Sequence, residues 1–222
     1  MPSPVVPGTT PAASSSASSP LPTNARLSTN PFVEAKINHL RDRKLNSAAV
    51  RSTTAEIARI LAVEATQDAT APPTEKIGLI VVLRSGLAMC DAFLSQLAPE
   101  TDVVVYHIGM FREKVSLQPV EYYNKLPNNN TEVKKVYVVD PLIATGGTSE
   151  AVIEILRDWG VDKITFVSIL ASKVGLERAA GVWPEGTNFV VGAVDDELDA
   201  QGFLVPGIGD IGDRLFGTGP SK

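Results

Sequence analysis

The sequence predicts an α/β protein built on a mostly parallel, doubly wound sheet flanked by helices. Three observations lead there. Five short runs, at 77–83 (IGLIVVL), 103–111 (VVVYHIGMF), 133–140 (VKKVYVVD), 163–170 (KITFVSIL) and 188–195 (NFVVGAVD), are apolar with little alternation and rich in β-branched residues. That is the pattern of strands buried on both faces. Helix-like segments separate several of them, as crossovers between parallel strands require. The chain of 222 residues, 44% of them hydrophobic, is long enough for one sizeable domain.

From the amino terminus, residues 1–28 are dominated by Pro, Ser, Ala and Thr, with Arg26 as their only charged side chain. Such a segment cannot bury enough apolar surface to offset its ordering entropy, which predicts a disordered tail at 1–28 and a domain at 29–222. Six prolines in the first 22 residues oppose the amphipathic helix of a transit peptide. Thr53 and Glu56 have the spacing of a capping box ahead of IARILAVEA, with Ile57, Ile60 and Leu61 at helical intervals. The strand at 77–83 follows. A helix is then predicted over 86–98, with Leu87, Cys90, Leu94 and Leu97 along one stripe. After the strand at 103–111, residues 112–132 lack a helical period and predict an extended hairpin or flap. The strand at 133–140 ends in Asp140. The helix at 148–160 gathers Val152, Ile155, Leu156 and Trp159, with Gly160 suited to end it. The acids Asp195, Asp196 and Glu197 fit a surface turn.

Composition excludes several classes. A net charge of −5 and a pI near 5.1 give no general grip on nucleic acid. Cys90 alone forms no internal disulfide and fits a core position. His39 and His107 are too far apart in sequence for zinc-ligand spacing. No apolar run approaches the roughly 18 residues of a membrane span. A cytoplasmic location is expected.

The segment Asp140, Pro141, Leu142, Ile143, Ala144, Thr145, Gly146, Gly147, Thr148 joins a strand end to a helix start. Ligands bind at the carboxyl ends of strands in open α/β sheets, and a helix amino terminus with adjacent glycines suits a phosphate. A plain strand–helix turn with a threonine cap is the competing reading. Near the carboxyl terminus, GIGDIG (207–212) matches G-x-G-x-x-G. Only DRLFGTGPSK follows, leaving no returning strand and no acid about 20 positions on, so the dinucleotide reading fails.

VVDPLIATGGT resembles the phosphoribosyl-diphosphate (PRPP) motif of type I phosphoribosyltransferases, and its Asp-Pro form is similar to that of uracil phosphoribosyltransferases. VLRSGLAM (82–89), HIGMFREKVSLQPVEYYNKLP (107–127) and GFLVPGIGDIGDRLFGT (202–218) fall in that family's order. With NPFVEAKINHLRDR, the similarity runs from about Asn30 to Thr218. The resemblance implies the type I fold, with a β-hairpin flap and a carboxyl-terminal base-recognition loop. It implies conversion of uracil and PRPP to UMP and diphosphate in pyrimidine salvage. Arg84, Asp140 and Asp210 would form the catalytic set. PRPP would meet Arg84, Arg112, Asp140, Pro141, Leu142, Ile143, Ala144, Thr145, Gly146, Gly147, Thr148 and Asp210. Uracil would meet Leu204, Gly209, Asp210 and Ile211. Mg²⁺ would be held by PRPP and water without a direct protein ligand. A homo-oligomer, dimer or higher, and a nucleotide effector such as GTP are also implied, with no nucleic acid or membrane partner. Three features depart from the family's pattern: a short segment between residues 68 and 77, Ser85 where alanine is usual, and the bulkier Ile211. A non-catalytic paralogue that binds uracil or PRPP as a sensing module is the alternative.

Overall fold

The computed structural model describes residues 20–67, 75–113, 119–129 and 132–219. Its elements run β1 (Ala25–Leu27), α1 (Pro31–Leu40), α2 (Ser47–Thr66), β2 (Ile77–Leu83), α3 (Leu87–Leu94), β3 (Val103–Arg112) and β4 (Pro119–Asn124). There follow β5 (Lys135–Val139), β6 (Leu142–Ile143), α4 (Gly147–Trp159), β7 (Lys163–Ser172), α5 (Lys173–Val182), β8 (Thr187–Asp195), β9 (Glu197–Leu198), β10 (Leu204–Val205) and α6 (Ile211–Phe216).

The main sheet has the order β1-β8-β7-β5-β2-β3-β4, with β6 added alongside β7. All pairings are parallel except β3 with β4, an antiparallel hairpin at one edge. β9 and β10 form a separate two-stranded ladder. Strand alternation divides the core. Leu79, Val81, Tyr137 and Val139 pack with α1, α2, α3 and α6 on one face. Ile80, Val82, Val136 and Val138 pack with α4 and α5 on the other. Both faces are buried, which is why these strands read as unbroken apolar runs.

Three sequence expectations need correction. Residues 20–28 are not part of a disordered tail. Ala25–Leu27 pairs with Phe189–Val191, Asn24 Nδ2 donates to Ala180 O and Thr187 O, and Ser28 Oγ donates to Glu64 at 2.7 Å. These partners lie far along the chain, where composition carries no signal; residues 1–19 lie outside the described residues. The first long helix begins at Ser47, not at Thr53. Asn46 caps it by accepting from Ala49 N at 2.9 Å, so Thr53 and Thr54 lie buried inside it. In α3 the buried residues are Met89, Ala92 and Phe93, while Leu87 is 43% exposed. Phe93 packs on Tyr137 with ring centroids 5.0 Å apart, while Cys90, Leu94 and Leu97 of the expected stripe are partly buried against the same core. Val152 and Leu156 of α4 are buried as expected, and Gly160 ends that helix at φ 94°. The hairpin at 112–132 is β3 with β4; residues 114–118, at its turn, lie outside the described residues.

Asp195 is also not a surface-turn residue. Only 6% exposed, it receives Arg41 Nη1 at 3.0 Å and Nη2 at 2.7 Å, tying the end of α1 to the end of β8. Removing the arginine leaves a buried carboxylate unpaired. Arg41→Ala is therefore expected to lower stability by about 2–4 kcal/mol in urea unfolding. Lys36→Ala, which breaks an exposed pair with Glu56, should cost well under about 1 kcal/mol.

Candidate active site

The sheet fixes where a ligand can sit. β3 lies on one side of β2, and the chain then crosses to place β5 on the other. This reversal opens a crevice at the carboxyl ends of β2 and β5. A cavity of about 360 Å³ occupies it. Its walls are residues 82–85 at the carboxyl end of β2 and just beyond it, residues 140, 142–146, 148 and 149 after β5, Met110, Phe111 and Tyr122 of the hairpin, and residues 202–204 and 209–212. Of the residues that the resemblance implies, Arg84, Asp140, Leu142, Ile143, Ala144, Thr145, Gly146, Thr148, Leu204, Gly209, Asp210 and Ile211 line this cavity. Pro141 and Gly147 belong to the same loop but are buried behind it. Arg112 ends β3, with its backbone opposite Pro119; its side chain lies outside the described residues.

The loop after β5 has no threonine cap. Gly146 holds the cap position at φ 80°, and no side chain caps α4, leaving the helix start to a ligand. A Cβ on Gly146 would lie 2.5 Å from Gly175 O, and one on Gly175 would lie 2.1 Å from Ala144 O. Only glycines permit this approach of α5 to the loop. Ser172 completes the brace, accepting from Gly175 N at 2.9 Å and donating to Ala144 O. Arg178 pairs with Glu150 of the first turn of α4.

Asp140 is 5% exposed. Burial pushes its carboxyl up to about 7, opposed by hydrogen bonds from the Ser85 hydroxyl and the Leu142 backbone. The Ser85 Oγ to Asp140 Oδ1 distance is 3.0 Å. Arg84 is half-exposed and held by the carboxyl-terminal segment: Nη2 donates to Asp213 Oδ1 at 3.1 Å, Nη1 to Thr218 Oγ1 at 3.2 Å, and the guanidinium lies 5.8 Å from the centre of the Phe216 ring. The Thr218 hydroxyl, followed by Arg84, holds the Asp213 carboxyl below its ordinary value.

The glycine-rich loop is fastened by three arginines that sequence reading missed. Arg41 donates to Gly207 O at 3.1 Å, and Asp195 accepts from Gly207 N at 2.9 Å. Arg43 donates to Pro206 O at 3.4 Å. Arg214 donates to Leu40 O at 2.6 Å, Ile208 O at 2.5 Å and Asp42 O at 2.7 Å. Burial, then Arg43, lowers its pKa. Gly207 and Gly209 take φ of 57° and 76°. Asp210 caps α6 by accepting from Asp213 N at 3.0 Å. Leu204 and Ile211 are buried in the core beneath the loop. The basic run LRDR could have hinted at the clamp, but its targets are backbone carbonyls, which no motif displays.

Comparison with known proteins agrees with this geometry. A family model described as uracil phosphoribosyltransferase matches residues 67–218. A putative uracil phosphoribosyltransferase of Schizosaccharomyces pombe is 50% identical over 195 residues, covering 88% of this chain and 91% of that protein. The uracil phosphoribosyltransferase of Thermus thermophilus is 36% identical over 205 residues, covering 85% and 96%. Among solved structures, the AQ2163 protein of Aquifex aeolicus superposes with a TM-score of 0.79 at 26% identity, over 89% of this chain and all of that one. The chain belongs to the uracil phosphoribosyltransferase family of pentosyl-transferring enzymes and has the type I phosphoribosyltransferase fold.

The arginine clamp makes a local prediction. Arg214→Ala is expected to speed amide hydrogen exchange at residues 207–212 by at least about tenfold, with exchange in β2 and β5 little changed. Arg214→Lys should restore little, because one ammonium cannot reproduce the planar fork that reaches three carbonyls.

Proposed function

We infer that this enzyme joins uracil N1 to C1 of the PRPP ribose, giving UMP and diphosphate in pyrimidine salvage. The observation that carries the reading is the cavity at the β2/β5 crevice, in which segments from four parts of the chain meet. The C1–O bond to diphosphate breaks as the N1–C1 bond forms, through an oxocarbenium-like transition state. Catalysis of this kind needs positioning, water exclusion and stabilisation of leaving charge more than a covalent nucleophile.

In this reading the 5′-phosphate lies in the loop from Pro141 to Thr148, against the start of α4. Asp140 accepts hydrogen bonds from the ribose hydroxyls. Arg84 and Arg112 hold the diphosphate, for which planar guanidinium groups are suited. The uncapped helix start and the tight Gly146–Gly175 approach support the phosphate assignment. Uracil presents an acceptor, donor, acceptor edge, and the backbone groups around Leu204 and Gly209–Ile211 can complement it. Cytosine would leave buried groups unpaired. Phe111 and Tyr122 of the hairpin, with ring centres 6.1 Å apart, supply an apolar wall against water.

Among the described residues no group of three or more acids, histidines or cysteines could hold a metal. Asp210, exposed on the cavity wall, fits a Mg²⁺ bound chiefly by diphosphate oxygens and water. When bound, Mg²⁺ would offset the charge of the departing diphosphate. The reading includes a homo-oligomer, supported by Phe111, Val120, Tyr122 and Tyr123 exposed on the hairpin. A nucleotide effector such as GTP rests on the family resemblance alone. Among the described residues no helix is long and apolar enough to cross a membrane, and a cytoplasmic location is part of the reading.

Purified protein given labelled uracil, PRPP and Mg²⁺ is expected to form UMP, and not to use cytosine or hypoxanthine. Arg84→Ala and Asp210→Ala should each lower kcat/KM by about 100-fold or more. Binding without turnover would instead mark a sensing module.

Asp140 gives the reading a pH signature. Its carboxylate is the form that accepts from ribose hydroxyls, so transfer should fall as pH drops through about 7. Stability runs the other way. The folded-state pKa lies above the ordinary 3.8, so the folded protein binds more protons in that interval, and stability falls as pH rises from about 4 to about 7. Asp140→Asn should therefore nearly abolish transfer while weakening the fall in Tm between pH 4 and 7.

A further inference from the structure

Ser85 lies at the carboxyl end of β2, just past Arg84, and has no part in the substrate assignments above. Its hydroxyl donates to Asp140 Oδ1 at 3.0 Å, and both residues line the cavity. The backbone fixes this contact. β2 and β5 are in register from Ile77 with Lys135 to Val81 with Val139, which sets their carboxyl ends side by side. Gly86 then turns directly over β5: a Cβ there would lie 2.4 Å from Val139 O and 2.7 Å from Val82 O. Gly86 N donates to Val82 O at 2.9 Å. The serine is thus carried on a turn pressed against the residue that precedes Asp140.

We propose that Ser85 is a positioning residue for phosphoribosyl transfer, its hydroxyl orienting the Asp140 carboxylate toward the ribose hydroxyls and favouring its ionised form. The proposal rests on the reading of Asp140 as the ribose-binding group.

The chemistry follows from what surrounds that carboxylate. Burial disfavours its charge, and the two groups that oppose burial are the Ser85 hydroxyl and the Leu142 backbone. Charged neighbours are engaged elsewhere or are acids. Arg84, beside Ser85, is held by Asp213 and Thr218. Glu150 of α4 is paired with Arg178. Asp210 lines the same cavity and Asp213 follows it on α6. From β7 the contact is backbone, with Asp140 N donating to Val167 O at 3.3 Å, and the hairpin contributes the Tyr122 phenol to the cavity wall. A lost hydroxyl donor would leave the carboxylate with one fewer stabilising hydrogen bond in a buried setting.

The test compares the wild-type chain with Ser85→Ala and Ser85→Thr by two readouts. The first is the pH titration of the Asp140 carboxyl in the ligand-free protein, followed by carbon-13 NMR and assigned with Asp140→Asn. The second is kcat/KM for UMP formation between pH 5 and 9. Ser85→Ala should raise both midpoints by about one unit, so that the loss of kcat/KM is about tenfold at pH 6 and shrinks as pH rises. Ser85→Thr, which keeps the hydroxyl, should return both toward wild type. An unchanged NMR midpoint in Ser85→Ala overturns the proposal, as does a loss of activity equal at every pH. A shifted NMR midpoint in a protein that forms no UMP would support the Ser85–Asp140 coupling and overturn the proposed reaction instead.

Discussion

The site depends on two neighbouring parallel strands that leave the sheet in the same direction with different chain partners. β2 and β5 are hydrogen-bonded side by side and buried on both faces. Such strands cannot slip by one residue without exchanging every side chain between the two cores. Leu79 and Tyr137 would leave the α2 side, and Ile80 and Val138 would leave the α4 side. The register of apolar packing therefore fixes where Arg84, Ser85 and Asp140 emerge. The polar chemistry inherits its geometry from a wholly apolar constraint.

Around that fixed point the remaining walls are held by different means. The loop after β5 is shaped by the absence of side chains at Gly146 and Gly175. The carboxyl-terminal loop is shaped by charge, through arginines whose donors reach carbonyls of α1's end and of the loop itself. The hairpin wall is aromatic: a Cβ on Gly109 would lie 2.6 Å from the Tyr122 ring, so glycine lets that ring cross the strand. A rigid cradle and a charge-fastened loop sit opposite an edge hairpin exposed along most of β4.

Much of this was legible in the sequence, for physical reasons that differ by element. The strand at 77–83 was readable to the residue because burial on both faces leaves an unbroken apolar run bounded by polar turns. The loop from Asp140 to Thr148 was readable because its glycines and hydroxyl residues are next to one another in the chain and directly follow an apolar strand. β1 was not readable: three residues paired to a strand more than 160 positions away leave no local pattern. The α3 stripe was only partly readable because helical periodicity gives a face only to within a turn: Cys90, Leu94 and Leu97 pack on the core, but the helix's deepest residues are Met89, Ala92 and Phe93 and Leu87 is exposed. Asp195 resembled its exposed neighbours Asp196 and Glu197 in sequence, and only the fold distinguishes it, through Arg41. Ser85, Asp213 and the three clamp arginines act through neighbours, so nothing in their own residue types announced them.

The order in which the walls are laid along the chain has a bearing on synthesis. The strand ends that carry Arg84 and Asp140 lie before residue 150 and the bracing Gly175 follows, whereas Leu204 through Ile211 come last of the cavity walls and are fastened back to residues 40–43 near the beginning. Because chains emerge amino terminus first, the loop at 204–211 is the last wall of the cavity to be made. Joining the last loop to the end of the first helix means that the cavity closes only once both ends of the domain are in place.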